Sequence, residues 1–466
     1  MSDVPFGFSN RDDDDDRNKR DDPSGSGANN PFGFPIGGSG AGFDPSQLGQ
    51  MLTSLGQMFS SMGQPGSQSG PVNYDIAKRL ARQQLGSTVT PLTSGAQRAV
   101  TDAAHLAELW LDAATTLPAG ATKTVAWTAN DWIEETLPTW KRLCDPVAEQ
   151  VSGMWTTTLP DEAKDFAAPM IGMLGQMGGL AFGSQLGQAL GQLAQEVLTS
   201  TDIGLPLGPA GTAALLPAAI TEFSKGLERP ESEILVYLAA REAAHQRLFG
   251  HVPWLRHQVL GAVEDYARGI RMDFSAIEQA AQNIDPMSLT DPSKLEELLS
   301  QGTFEPQTTP EQKAALERLE TLLALIEGWV EVVVTDAVGD RLPGAGALAE
   351  TLRRRRATGG PAEQTFATLV GLELRPRKLR EAATLWRRLT TDAGLEARDA
   401  VWAHPDLLPS SEDLDNPAGF IDGVIGGGTA VFDDPLAQLA ETEARERRER
   451  EGRTGDEPGD EGSAQA

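Results

Sequence analysis

The run Leu322-Leu323-Ala324-Leu325-Ile326-Glu327-Gly328-Trp329-Val330-Glu331-Val332-Val333-Val334 limits the fold more than any other stretch of the chain. On a helix its apolar residues pass all the way round the axis. Such a helix is stable only when other elements cover every side of it. Its start is well marked: Thr309-Pro310-Glu311-Gln312 supplies an N-cap, a proline at the first helical position and the Gln of a capping box. Pro230-Glu231, Asp291-Pro292 and Pro361 open further segments. From residue 73 to residue 430 the apolar spacing is helical almost throughout, with little strand-like alternation, although Gly204 to Leu216 has room for a short extended piece. The expected fold is mainly α, one large helical domain with little β structure between acidic disordered tails.

Those tails read from composition. Residues 1–72 combine Gly, Ser, Pro and Asn with the acidic run Asp12 to Asp16, and hold too few apolar groups to offset the entropy of ordering. Within them Leu48, Met51, Leu52, Leu55, Met58, Phe59 and Met62 recur at helical spacing after Asp44-Pro45. This marks a short amphipathic helix near 45–63 that folds back on its own body or grips a protein partner. Residues 431–466 form a charged, acidic tail. The two tails account for −5 (residues 1–70) and −6 of the formal net charge of −28, so residues 71–430 carry −17. No basic stripe can dominate that field, which excludes nucleic acid as a general partner. The single cysteine, Cys144, rules out an intrachain disulfide and a cysteine-rich zinc cluster, as expected of a reducing cytoplasm. Met1 to Pro31 lacks the apolar core of a secretory signal.

Phe166 to Gln195 carries no charge, and Gly175, Gly179, Gly183, Gly187 and Gly191 fall in strict i,i+4 register. A membrane span has this glycine pattern. Five Gln, seven Gly and Pro169 make the segment too polar for one. A glycine ridge packed backbone to backbone inside a helical body fits better.

Two segments carry the chemistry. Arg241-Glu242-Ala243-Ala244-His245 has the spacing of the zinc-protease helix H-E-x-x-H, in which two His hold Zn²⁺ and the Glu serves as general base. Here Glu242 and His245 occupy the base and second-ligand positions, but Arg241 stands at the first. A guanidinium has no lone pair to offer a metal. Leu235, Leu238, Glu242, His245 and Phe249 share one helical stripe with Arg241 beside it, so an acid and an imidazole sit on an otherwise apolar face. The second segment is the buried run, where Glu327 and Glu331 lie four apart and need a cation, a metal or strong donors. Their E-x-x-x-E spacing matches peptidases of the gluzincin type, whose third zinc ligand is a Glu on a later helix followed by an acid that orients a ligand His. The alternative is a buried knot of Arg241, Glu242, His245, Glu327 and Glu331 that fixes helix register and binds nothing. Residue types leave both open. Arg241 pulls toward the knot, because a permanent cation repels Zn²⁺ and can neutralise Glu327.

Other signals are weaker. His251 or His257 could supply the missing ligand if the segment after the motif folded back, though such histidines are more often turn residues. His105 and His404 read as structural. Arg353 to Arg356 could hold an anion or pair with acids, but a solvated helix end before Gly359-Gly360 is the expectation. Gly344-Ala345-Gly346-Ala347-Leu348-Ala349 fits a dinucleotide fingerprint by chance, since no strand precedes it.

Gly183-Ser184-Gln185-Leu186-Gly187, Arg241 to His245, Val252-Pro253-Trp254-Leu255-Arg256, Ile326 to Val330 and Trp402 to Pro409 together resemble an actinobacterial family of zincin-like hydrolases, or zinc-dependent metalloproteases. The likeness spans residues 75–420. It implies a helical zincin-like domain in a cytoplasmic protein, with Glu242 as general base, His245 as a zinc ligand and Glu327 as a further ligand. A sister branch linked to deazaflavin coenzyme biosynthesis carries the H-E-x-x-H intact; Arg241 departs from it. The expected function is a zinc-dependent hydrolase acting on a peptide or protein substrate. The alternative is an inactive zincin relative that works as an interaction or scaffold protein.

Overall fold

The computed structural model describes residues 70–86, 89–157, 161–269, 271–272, 306–307, 309–357 and 378–426, with a few positions between 365 and 372; of residues 151–174 the backbone alone is described. The proposed tail helix near 45–63, the C-terminal tail and the starts at Asp291-Pro292 and Pro361 lie outside these residues.

In chain order the structure runs α1 (Tyr74–Leu85), α2 (Ser94–Leu111), β1 (Lys123–Ala126), α3 (Ala129–Thr157), α4 (Asp161–Glu196), β2 (Thr212–Leu215), α5 (Pro217–Ser224), α6 (Glu231–His251) and α7 (Leu255–Arg268). It continues through α8 (Pro310–Val338), α9 (Ala345–Ala357), α10 (Leu379–Ala400), α11 (Ser411–Asp415) and α12 (Pro417–Ile425). The fold is mainly α, as expected. β1 and β2 pair in parallel, Lys123 opposite Thr212 through Ala126 opposite Leu215. The extended piece foreseen before Leu216 is β2; its partner β1 carries no alternation long enough to read in the sequence. A second pair, two residues a side, joins Arg271–Met272 to Pro306–Gln307 antiparallel.

Helix α8 is the axis of the body, with α10, α7, α6 and α2 against it. Leu322 to Val334 are all buried except Glu331, which is intermediate. The capping box forms: Thr309 Oγ1 accepts from the Gln312 amide and Gln312 Oε1 accepts from the Thr309 amide. At Gly328 the crossing with α10 is so close that a Cβ would stand 2.7 Å from the Ala383 nitrogen. From α10 the Trp386 indole donates to the Leu325 carbonyl, and Trp329 donates to Asp399.

The glycine ridge packs as expected. On α4, Cβ atoms at Gly183 and Gly187 would stand 2.4 Å from the Asn73 carbonyl oxygen and 2.6 Å from that of Ala77. Gly191 lies against the Gln84 side chain and Gly179 accepts the Asn73 amide at 3.0 Å, so four of the five glycines seat α1. No helix among the described residues is long and apolar enough to cross a membrane.

Candidate functional site

Helices α6 and α8 cross with their polar residues facing each other. Along α6 the Leu238–Glu242–His245 stripe points inward, and Glu242 and His245 are 1 % and 2 % exposed. Four residues separate Arg241 from His245, so the imidazole Nδ1 lies 2.8 Å from the Arg241 carbonyl of its own helix. Nδ1–H donates there, which turns Nε2 to α8, 3.0 Å from Glu327 Oε1. Phe249 stacks against the ring, centroids 6.4 Å apart.

Glu327 is the centre of the site. Besides His245 on Oε1, its Oε2 takes Arg241 Nη2 at 2.6 Å and Arg356 Nη1 at 2.5 Å. Burial alone would raise its pKa, but Arg356, His245 and Arg241 outweigh burial and hold the carboxyl well below the usual range. Burial likewise opposes the charge on Arg241, and Glu327 more than restores it. The segment between α4 and β2 closes over this group: Gly204, at φ +80°, lies against Glu327, where a Cβ would come within 3.1 Å of Oε1.

Glu242 stands apart from that ion cluster. Its Oε1 accepts from the Ser200 hydroxyl at 2.5 Å and the Gln246 amide at 2.9 Å. Its Oε2 accepts from the Thr201 amide at 3.1 Å and the Thr201 hydroxyl at 2.6 Å. Four neutral donors satisfy the carboxylate, so a knot joining all five polar residues is not what forms. Glu331 also has a different partner from the one expected: Arg353 Nε, 3.6 Å away, rather than Arg241 or His245.

The C-terminal turn of α9 supplies what sequence reasoning missed. Of Arg353 to Arg356 only Arg354 is exposed as a solvated helix end would be; the other three are partly buried against the body. Arg356 reaches Glu327 and also donates to the Asp202 carbonyl at 2.6 Å, while Arg355 pairs with the Asp202 carboxylate at 3.2 Å. Four consecutive arginines cover every face of a helix, so one must face inward once α9 packs. That was the available signal. Ser200, Thr201 and Gln246 left no comparable trace.

The histidines beyond the motif lie elsewhere. His251 Nε2 is 3.1 Å from the Ala119 carbonyl, and His257 lies 3.5 Å from Arg142; both are exposed. His404 accepts the Asp406 amide, and His105 is exposed on α2. Gly344 to Ala349 open a helix with no strand before them. Cys144 is fully buried, and burial pushes its thiol far up.

A zinc ion needs three or four donors with lone pairs. The site offers at most two, Glu327 Oε1 and, only when it carries no proton, His245 Nε2, and two guanidiniums occupy the other carboxylate oxygen. No group of three His, Cys, Asp or Glu with metal-binding proximity occurs among the described residues. As arranged, the residues do not fit a zinc centre.

A helical body with a base-position Glu and a ligand-position His on one helix, facing a Glu on a later one, defines a zincin-type scaffold. The family model described as zincin-like metallopeptidase matches residues 72–421, and the chain belongs to that family. The fold is also similar to a solved structure from Chloroflexus aurantiacus, described as a candidate hydrolase with a novel fold. The identity is 20%, the TM-score 0.53, and the match covers 75% of this chain and 97% of that one. The comparison with curated proteins found no match.

Proposed function

We propose that this chain keeps its family's scaffold without the zinc chemistry, and acts in the cytoplasm by binding a protein partner rather than by cleaving it. One observation carries the loss of zinc chemistry, from which the binding role is the remaining alternative: Glu327, the family-type metal ligand, is already neutralised inside the molecule by Arg241 and Arg356, with His245 on its other oxygen. Neither arginine can lose its proton to make way for a metal. An incoming Zn²⁺ would have to displace a charge-assisted hydrogen bond from Arg241 and an ion pair with Arg356, and then sit beside the freed cations. Glu242, with two donors on each oxygen, has no lone pair directed at a substrate water.

A second reading has its own observation. The Nδ1–H bond from His245 to a backbone carbonyl is the arrangement that presents Nε2 to a metal. In that reading His245 and Glu327 hold zinc once α9 has withdrawn Arg356, and Glu242 takes a proton from water in a peptide hydrolase. Elemental analysis of untagged protein, after zinc is added and excess removed, separates the two. The expected result is far less than one zinc per chain. One zinc per chain, lost in both His245→Ala and Glu327→Ala, would instead establish the hydrolase reading.

A further inference from the structure

The two longest stretches of this chain without Asp, Glu, Lys or Arg are residues 45–74 and 166–195, thirty positions each. In a chain that is 23% charged, two such stretches are better suited to covering one another than to facing water. Their described parts already touch. Pro71 stands against Gly179, Asn73 against Gly183, Ala77 against Gly187 and Gln84 against Gly191, so α1 lies along α4 in the same direction. But α4 begins at Asp161, whereas α1 begins only at Tyr74. Upstream of Gly179 the same face of α4 is therefore open: Gly175 is exposed, and Cβ atoms at Gly175 and Gly178 would meet nothing within 4 Å. The sequence continues that face backward, at three- and four-residue spacing, through Gly172, Ile171 and Ala168.

We propose that residues 48–62 dock as a helix on the N-terminal half of α4, in line with α1, and cover this uncharged face. Because α1 and α4 run the same way, the chain that precedes Gly70 is delivered to the open end of the ridge. Its Leu48, Met51, Leu52, Leu55, Met58, Phe59 and Met62 supply the apolar stripe. The lengths agree: as helices, Leu48 to Met62 spans about 22 Å and Asp161 to Gly175 about 21 Å. Gly63 to Ser69, with Pro65-Gly66 inside it, reaches about 24 Å when extended, and Gly175 is only one turn of α4 before the Gly179 that seats Pro71. So short a tether holds the segment at an effective concentration in the millimolar range, which favours it over a second copy or another protein. Leu and Met side chains make the contact at an ordinary interaxial distance of about 8–10 Å, so a single methyl at Gly175 is accommodated. The proposal goes beyond the partner-binding reading and holds whether or not zinc binds.

The test is hydrogen–deuterium exchange of the full chain, read by mass spectrometry. Amides of residues 48–62 are expected to exchange at least about tenfold more slowly than those of an unstructured chain, and equally so on dilution. Gly175→Asp puts a charge on the open face, where a Cβ has no neighbour within 4 Å. It should return residues 48–62 to unstructured exchange and leave Leu322 to Val334 of α8 slow. Leu55→Asp, made in the docking segment itself, should do the same and speed exchange in α4 before Gly179. Gly419→Asp, at an equally open helical glycine of α12, should change neither. Unprotected residues 48–62 in the native chain, or protection that survives Gly175→Asp, overturns the proposal. Protection that falls on dilution overturns it too, by making a second copy the occupant. If Gly175→Asp exposes α8 as well, Leu55→Asp decides alone: unchanged exchange in α4 overturns the docking site.

Discussion

Glu327 shows how one carboxylate can be indispensable without reacting. It is 2 % exposed and bears three charged or polar partners. Removing one member of a buried ion cluster strands the others, at about 3–5 kcal/mol. Glu327→Gln, nearly isosteric, is therefore expected to lower unfolding free energy by an amount in that range, read from urea denaturation. The same geometry explains why restoring the missing histidine is not enough. Arg241→His supplies a third donor, yet Arg356 still holds Oε2. The single variant should take up little zinc, and Arg241→His combined with Arg356→Gln should approach one zinc per chain, measured by chelator competition and elemental analysis. Equal zinc in the two variants would show that Arg356 does not guard the carboxylate.

Among the elements, α4 tests whether glycine serves packing or merely weakens a helix. At Gly183 a Cβ would meet the backbone oxygen of Asn73 at 2.4 Å, and a backbone atom yields only if α1 moves. Gly183→Ala is expected to destabilise by about 1–3 kcal/mol, as overpacking does. At Gly175, in the same register but past the end of α1, a Cβ would meet nothing within 4 Å. There alanine should stabilise, by up to about 1 kcal/mol from helix propensity. Thermal melts of the two variants should shift in opposite directions. A helix placed by its ridge predicts that split; one with incidental glycines predicts two small gains.

At the scale of the whole molecule, two buried ion clusters tie distant parts of the chain together. Glu327 joins α6, α8 and α9. Asp399 joins α10 to the segment after α2: Oδ1 accepts from Arg398 and Trp329, and Oδ2 from the Thr115 hydroxyl and from the Thr116 amide and hydroxyl. Burial raises the Asp399 pKa, but Arg398 and Thr115 outweigh it and the carboxyl is held below its ordinary value, as Glu327 is. A depressed folded pKa means that, in acid, the unfolded chain takes up the proton first. The stabilisation is then complete above the unfolded value, about 4.3 for Glu, and is lost as pH falls through the folded one. Native protein should lose stability steeply below that point. Glu327→Gln should lose less, so the gap between the two narrows from pH 7 to pH 3 in denaturant titrations. A constant gap would mean that the Glu327 charge does not contribute.

The sequence by itself determined the helical class, the buried axis at Leu322 to Val334, the capped start at Thr309 and the glycine ridge of α4. Each is a local or periodic property: which side of a helix is apolar, which residue caps it and where a side chain is missing can all be read along the chain. It also put an acid and a His on one stripe of α6, with Arg241 beside them, and a Glu in the buried run of α8. Only the tertiary structure decided how those charges pair. The strand β1, the Ser200 and Thr201 donors that hold Glu242, and Arg356 reaching Glu327 from α9 are contacts between residues 29 to 89 positions apart. Hydrogen bonds and ion pairs are fixed by distance and angle in space, and neighbouring sequence carries almost no trace of a partner that arrives from another helix.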